Sequence, residues 1–69
     1  MEIVLKTKRQ EPFISRRKNG DGVIKIDSEA CDVLEGFLEK LDSRVSVRQL
    51  ASAFIKAAAN EAIVKMEDD

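Results

Sequence analysis

Val-Ile-Lys-Ile-Asp-Ser-Glu, residues 23–29, is the stretch that decides the fold. Three of its first four residues are β-branched, a composition typical of a strand. Side chains alternate along a strand, so Ile24 and Ile26 share one face while Val23 and Lys25 share the other. The sequence therefore predicts a short strand at residues 23–26 with one apolar face and one mixed face.

Two helices are predicted after this strand. Asp27 and Ser28 are both residues that cap helix N-termini, and apolar residues then recur at spacings of three and four. After a short break, Ser46 and Gln49 form a capping box that opens a second helix, which we expect to continue to about Met66. The apolar stripes of the two helices comprise Ala30, Leu34, Phe37, Leu38 and Leu41 in the first, and Val47, Leu50, Ala51, Phe54, Ile55, Ala58 and Ala62 in the second.

Gly36 interrupts the first predicted helix. A glycine in a helix interior costs about 1 kcal/mol relative to alanine. The sequence leaves two explanations open: tight packing requires the glycine, or the helix is locally weak there.

The chain is too short to bury a large core by itself. A domain of its 69 residues hides only about 60% of the surface that its unfolded chain exposes, and such domains usually need disulfides, a metal or a partner chain. Its single cysteine, Cys31, and its lack of histidine exclude an intramolecular disulfide and leave too few ligands for ordinary zinc sites. We therefore expect a homodimer with no cofactor and no metal site.

The composition also argues against catalysis and against a membrane. Without histidine, and with a single cysteine, the chain cannot assemble a Ser-His-Asp or Cys-His pair, and it has no glycine-rich phosphate loop. We therefore expect a protein that is not an enzyme. No apolar run approaches the roughly 20 residues that cross a bilayer, so we expect no membrane partner and a cytoplasmic location.

The charge is distributed unevenly along the chain. Residues 1–20 hold six basic and two acidic side chains, a balance of +4, whereas residues 21–69 hold six basic and eleven acidic ones, a balance of −5. Local charge sets the field near a surface, so a basic arm on an acidic body favours a one-sided contact with a polyanion. A solvated, loosely ordered arm is the other interpretation of the same pattern.

The predicted order of elements resembles that of the ribbon-helix-helix repressors, the family of the Arc and methionine repressors. The resemblance covers roughly residues 22–62 and is carried by Val23-Ile24-Lys25-Ile26-Asp27, by Ser28-Glu29-Ala30 and by Ser46-Val47-Arg48-Gln49-Leu50. It implies a mainly α protein with a short β-ribbon, an intertwined homodimer in which each chain donates one strand to the ribbon. The expected organisation is a basic, extended N-terminal arm at residues 1–21, the ribbon-helix-helix domain at 22–66 and an acidic tail at 67–69.

The resemblance also implies a function and a set of site residues. The function is that of a sequence-specific transcriptional regulator of the repressor type, which places its ribbon in the major groove of double-stranded DNA. Val23 and Lys25 are then the candidates for base contacts. The candidates for phosphate contacts are Arg16, Arg17, Lys18, Arg44, Ser46, Val47 and Arg48. The expected dimer core comprises Ile24, Ile26, Leu34, Phe37, Leu41, Leu50, Phe54 and Ile55.

One alternative remains open from the residues themselves. Asn19-Gly20 lies between two short strand-like stretches and is a strong hairpin signal, so the strand at residues 23–26 can pair within its own chain. The sequence pI of about 5.4 is also low for a DNA-binding domain. The alternative is a small protein-interaction module, antitoxin-like or a phage accessory protein, with an N-terminal hairpin, a toxin or other protein partner, and no DNA role.

Overall fold

The protein has two helices between a strand near each end of the described chain. The computed structural model describes residues 1–11 and 13–68. The elements in chain order are β1 (Glu2–Thr7), β2 (Ser15–Arg16), β3 (Gly22–Val23), α1 (Ser28–Lys40), α2 (Val47–Glu61) and β4 (Ile63–Asp68). Pro12 of the predicted arm and Asp69 of the predicted acidic tail lie outside the described residues. The fold is therefore small and mixed α/β.

The strands form two separate two-stranded sheets. β2 and β3 pair antiparallel as a hairpin, and β1 pairs with β4 in parallel. Across the described elements, packing is confined to three pairs: β1 on β4, α1 on α2, and β2 on β3. The chain is thus built as a hairpin, a helix pair and a ribbon of its two outer strands, which we call the terminal ribbon.

Both predicted helix starts are confirmed. The Asp27 carboxylate accepts a hydrogen bond of 2.8 Å from the Ala30 N–H at the start of α1. The Ser46 hydroxyl accepts one of 3.0 Å from the Gln49 N–H at the start of α2. These side chains satisfy backbone donors that have no partner within the helix, which fixes where each helix begins.

α1 ends in a Schellman turn. The Ser43 N–H donates to the Leu38 carbonyl and the Asp42 N–H donates to the Glu39 carbonyl, each at 3.0 Å. Asp42 and Ser43 have φ angles of 58° and 55°, in the left-handed region. Glycine usually occupies the first of these positions because it has no Cβ to clash there, so Asp42 carries a conformational cost.

The two helices meet through a small apolar contact. The rings of Phe37 and Phe54 lie 5.0 Å apart at 77°, an edge-to-face geometry, and the Lys40 ammonium lies 5.1 Å from the centre of the Phe37 ring. Leu50, at 9% exposure, is the one buried side chain among the described residues. The remaining predicted core residues are only partly covered within a single chain.

The prediction that the second helix runs to about Met66 is wrong. α2 ends at Glu61, Ala62 takes an extended conformation with φ −86° and ψ 139°, and residues 63–68 form β4. The alanine-rich stripe contains no glycine or proline that would mark its end. Residues 63–66 include two β-branched side chains, and the backbone hydrogen bonds that make them a strand come from β1, about 60 residues away. Local periodicity cannot detect such a partner.

The predicted strand at residues 23–26 is shorter than expected and is not an orphan. β3 comprises Gly22–Val23 and pairs with β2 of the same chain, Ser15 opposite Val23 and Arg16 opposite Gly22. β3 is therefore paired within its own chain, as the Asn19-Gly20 signal allows, and not by the strand of a second copy that the resemblance implies. Residues 24–26 lie outside any strand, and no backbone hydrogen bond joins them to another described residue.

The single chain exposes far more surface than a compact protein of its mass. Its accessible surface is 6822 Å², against about 4,300 Å² for a compact monomer of this size. Its radius of gyration is 14.3 Å, against about 11 Å for a compact 69-residue domain. Large aliphatic and aromatic side chains contribute to this excess of about 2,500 Å², because they are exposed on β1, β3, both helices and β4.

Candidate nucleic-acid interface

The β2–β3 hairpin presents the basic stretch Arg16-Arg17-Lys18 at its closed end. The Arg17 N–H donates to the Asp21 carbonyl at 2.7 Å, and the Gly20 N–H donates to the Arg17 carbonyl at 2.9 Å. Gly20 has a φ of +94°, which favours glycine. The Asn19-Gly20 signal thus marks a real turn, and the turn exposes two consecutive cationic side chains, Arg17 and Lys18.

Two contacts hold this turn in shape. The Asn19 side-chain oxygen accepts from the Asp21 N–H at 3.0 Å, and its amide nitrogen donates to the Asp21 carboxylate at 3.3 Å. A Cβ at Gly22 would lie 2.9 Å from Cγ2 of Ile14, so the glycine allows the two strands to approach closely. The closed end of the hairpin is therefore defined by its own residues.

An ion pair ties the hairpin to the start of α2. The Arg48 guanidinium lies 3.1 Å from the Asp21 carboxylate and donates a hydrogen bond of 3.1 Å to it. The pair is well exposed, with side-chain exposures of 78% for Arg48 and 41% for Asp21. Exposed pairs contribute little to stability, but this contact shows that the basic turn lies beside the α2 N-terminus.

The N-terminal half of α2 carries a shallow polar concavity of about 590 Å³. It is lined by Ser46, Arg48, Gln49, Ser52, Ala53 and Lys56. The free N–H groups of the first helical turn and the positive end of the helix dipole lie at the same end. The concavity therefore offers hydroxyls, an amide and two cations to an anionic ligand.

An apolar groove of about 840 Å³ runs between the hairpin, residues 24–26 and the two helices. Side chains on its walls include those of Ile14, Val23, Ile24, Ile26, Val33, Leu34, Val47, Phe54 and Ile55. Most of these side chains are exposed in the single chain. The groove is thus a mainly apolar surface made by Ile14, β3, residues 24–26 and the two helices.

The predicted site residues fall in three places. Arg16, Arg17 and Lys18 lie on the hairpin, Ser46, Val47 and Arg48 lie at the start of α2, and Arg44 lies in the link between the helices. Val23 lines the apolar groove beside Ile24 and Ile26, whereas Lys25 is exposed and is not part of its lining. The hairpin set and the α2 set are brought together through Asp21 and Arg48.

Sequence reasoning missed two features of this region. The first is the ion pair of Asp21 with Arg48, in which the guanidinium compensates the negative charge of the Asp21 carboxylate. Gln49, Ser52 and Lys56, which extend the polar concavity along α2, were also missed. Their spacing of three and four residues places them on one helix face with Ser46, a signal that was present in the sequence.

Comparisons with known proteins identify no relative. In comparisons with protein-family models, curated proteins and solved structures, nothing matches this chain. Neither helix in the described part of the chain is long and apolar enough to cross a bilayer. Among the same residues, no group of three or more His, Cys, Asp or Glu side chains is arranged to hold a metal ion.

Proposed function

We propose that this chain is a sequence-specific DNA-binding transcriptional regulator of the repressor type, which acts as a homodimer and occupies an operator. The observation that carries the proposal is the Asp21–Arg48 ion pair, because it holds a basic turn beside the polar N-terminal end of a helix. Both features suit phosphate oxygens, which take half or more of the hydrogen bonds in protein–DNA complexes. In this proposal the regulation comes from occupancy, with no catalytic step.

The phosphate-binding part of the proposal rests on two groups of side chains. Arg16, Arg17 and Lys18 supply three positive charges on the hairpin, and all three are exposed. The first turn of α2 supplies free N–H groups next to Ser46. A phosphate backbone that contacts both groups at once fixes the position of the protein on the duplex without reading its sequence.

The homodimer in the proposal is supported by what a single chain leaves incomplete. Residues 24–26 have no backbone hydrogen bond to the rest of the described chain, and they form part of the apolar groove. The same segment of a second copy can pair with them while its helices cover the groove. In the proposed complex this paired segment enters the major groove, where Lys25, which lies outside the lining of the apolar groove, donates to guanine O6 or N7. Val23 lines the apolar groove, so a partner that covers this groove also covers Val23.

The salt dependence of DNA affinity tests the phosphate contacts. For about six to ten phosphates per dimer, log K should fall against log salt with a slope of about −5 to −9. Arg17→Ala with Lys18→Ala removes four charges per dimer and should flatten the slope by up to about 4. Lys8→Ala with Arg9→Ala is the matched control, because it removes the same charges from an exposed stretch outside the hairpin. Equal flattening by both double variants would refute the assigned site, and an absence of DNA binding would refute the function.

The two partners of the ion pair separate a phosphate contact from a structural one. Arg48→Ala should weaken binding to all DNA sequences to a similar degree, whereas Lys25→Ala should change which sequences are preferred. Asp21→Asn breaks the same ion pair but keeps the Arg48 charge and removes one negative charge per chain, so it should weaken binding less than Arg48→Ala does. If Asp21→Asn weakens binding as much as Arg48→Ala, the role of Arg48 is to hold the hairpin.

A protein-interaction module without a DNA role is the second candidate. The observation that favours it is the pairing of β3 with β2 inside one chain, because the hairpin satisfies backbone groups that the dimeric ribbon was expected to satisfy. In that case the apolar groove binds a toxin or another protein through its exposed aliphatic side chains. A DNA affinity that is absent or independent of salt, together with a stable single chain in solution, would favour this candidate.

A further inference from the structure

The terminal ribbon has two chemically different faces. In the parallel pair, Glu2 lies opposite Ile63, Val4 opposite Lys65 and Lys6 opposite Glu67. Directly opposed residues point to the same side and successive residues alternate, so these six form one face, which we call the charged ribbon face. On the other face Ile3 lies opposite Val64, Leu5 lies opposite Met66 and, at the end of the ribbon, Thr7 lies opposite Asp68. We call the four apolar residues of this face the apolar ribbon face.

The charged ribbon face satisfies its own charges. The Lys65 ammonium lies 3.1 Å from the Glu2 carboxylate on that face, and Lys6 lies directly opposite Glu67. Two acidic and two basic side chains leave this face with no net charge. Water can solvate it as it stands, so the charged face does not require a partner.

The apolar ribbon face is left uncovered by the rest of the described chain. The described elements that pack on β1 and β4 are only those two strands themselves. Leu5, Val64 and Met66 are all exposed, Met66 at 81%. Parallel sheets occur almost only where their faces are covered, and an isolated two-stranded sheet is marginally stable in water. The ribbon therefore lacks a covering layer on one identifiable face.

We propose that the apolar ribbon face docks against the same face of a second copy of this chain, ribbon on ribbon. The centre of the face is self-complementary, because Ile3, Leu5, Val64 and Met66 are all apolar, and the one uncompensated charge of the ribbon, that of Asp68, belongs to its end. A two-fold axis that lies between two stacked ribbons, perpendicular to their strands, lets each residue meet the equivalent set on the partner and keeps the two ends that carry Asp68 apart. This contact is separate from the apolar groove and does not depend on DNA.

The surface of the single chain is large enough for two contacts of this kind. The excess over a compact monomer is about 2,500 Å², whereas one partner in an interface of standard size buries about 800 Å². A second copy bound in the apolar groove therefore covers only part of this excess, and apolar side chains elsewhere stay exposed. The ribbon face is the part of that surface that no element of the hairpin or of the helix pair reaches.

Two neighbouring residues provide a matched test in the full-length chain. Leu5 and Val4 are 51% and 52% exposed and adjacent on β1, but they lie on opposite faces of the ribbon. By sedimentation without DNA, Leu5→Glu should weaken self-association about 10- to 100-fold, because it buries a charge in place of an aliphatic group. Val4→Glu faces Lys65 and should leave self-association unchanged. Equal masses for the wild type and both variants, or an equal loss in both, would overturn the proposal.

Chemical cross-linking tests the same contact without placing a charge in it. In a Cys31→Ser background, Leu5→Cys and Val4→Cys each introduce one thiol in the middle of β1. The backbones of packed sheets lie about 10 Å apart and side chains from both sheets extend into that space, so facing thiols lie closer than this and a short bis-maleimide is the appropriate reagent. Leu5→Cys should yield covalent dimers about tenfold faster than Val4→Cys. Equal rates would refute face-to-face docking.

The two self-association surfaces can fail independently. Phe54→Ala removes an aromatic side chain from the apolar groove and leaves the terminal ribbon unchanged. If the groove dimer is absent but the ribbon contact is real, Leu5→Glu converts the wild-type assembly directly to single chains. If both contacts are real, the wild-type assembly is larger than a dimer, and Leu5→Glu reduces it to a dimer held by the apolar groove.

Discussion

Gly36→Ala should stabilise the protein, and the size of the effect follows from the surroundings of this residue. A Cβ built at Gly36 meets no atom within 4 Å outside its own helix turn and chain neighbours, so the added methyl causes no clash within the chain. Glycine in a helix interior costs about 0.8–1.0 kcal/mol relative to alanine. We therefore expect the free energy of unfolding to rise by about 1 kcal/mol per chain, equivalent to about 4–8 °C in Tm for a domain of this size.

The measurement is urea denaturation followed by circular dichroism at fixed protein concentration, because the midpoint of an associating protein depends on concentration. Ala57→Gly is the matched control. It reverses the same exchange at an exposed position inside α2 and should cost about 1 kcal/mol. If Ala57→Gly behaves as expected but Gly36→Ala destabilises the protein, the reasoning is refuted, and the backbone of another chain must approach α1 at Gly36.

Substitutions at three further positions test local features of the fold. Asp42→Gly should add about 0.5–1 kcal/mol in thermal or urea unfolding, because it relieves a left-handed φ of 58° at the end of α1; a loss of stability would contradict this. Ser46→Ala should lower the free energy of unfolding by about 1 kcal/mol in the same assay, because it removes the N-cap of α2. Ser46→Asp should keep most of that stability, because aspartate also caps helices. Phe54→Ala should cost about 3–5 kcal/mol, with a concentration-dependent midpoint, if a second copy covers this half-exposed ring. A concentration-independent loss below about 2 kcal/mol would show that the ring stays at the surface.

The helix starts were predictable because their causes are local. Asp27 and Ser46 each bind an N–H three residues further along the chain, so the capping pattern is contained within four letters of sequence. The apolar spacing that follows each cap belongs to the same helix. The link between the helices was also visible, although the Schellman geometry at Asp42 and Ser43 was not, because neither residue is the usual glycine.

The terminal strands were not predictable because their cause lies at the opposite end of the chain. Residues 63–68 continue a helical pattern without a breaker, and only the ladder with β1 makes them a strand. The hairpin lay between these cases. Asn19-Gly20 predicted a hairpin, but the resemblance favoured a strand paired between two chains. Gly22 lies close to Ile14, and this close approach lets β2 and β3 pair.

The candidate site was partly predictable for the same reason. Arg17, Lys18 and Ser46 are basic or capping residues whose exposure follows from their own turns. The Asp21–Arg48 ion pair that places them side by side joins residues 27 positions apart. No local sequence pattern indicates a contact across 27 positions. The sequence therefore predicted which residues belong to the site but not how they are arranged.

The parallel pairing of β1 with β4 also has a consequence for synthesis. Of the described elements, β1 is made first and β4 last, so the nascent chain carries β1 without its ladder partner through most of translation. Closing a loop of about 60 residues costs roughly 3–4 kcal/mol of chain entropy, more than any other pairing in this fold. The ribbon should therefore be the last part to form and the first to open, and until then the nascent chain displays Ile-Val-Leu to chaperones and to other chains.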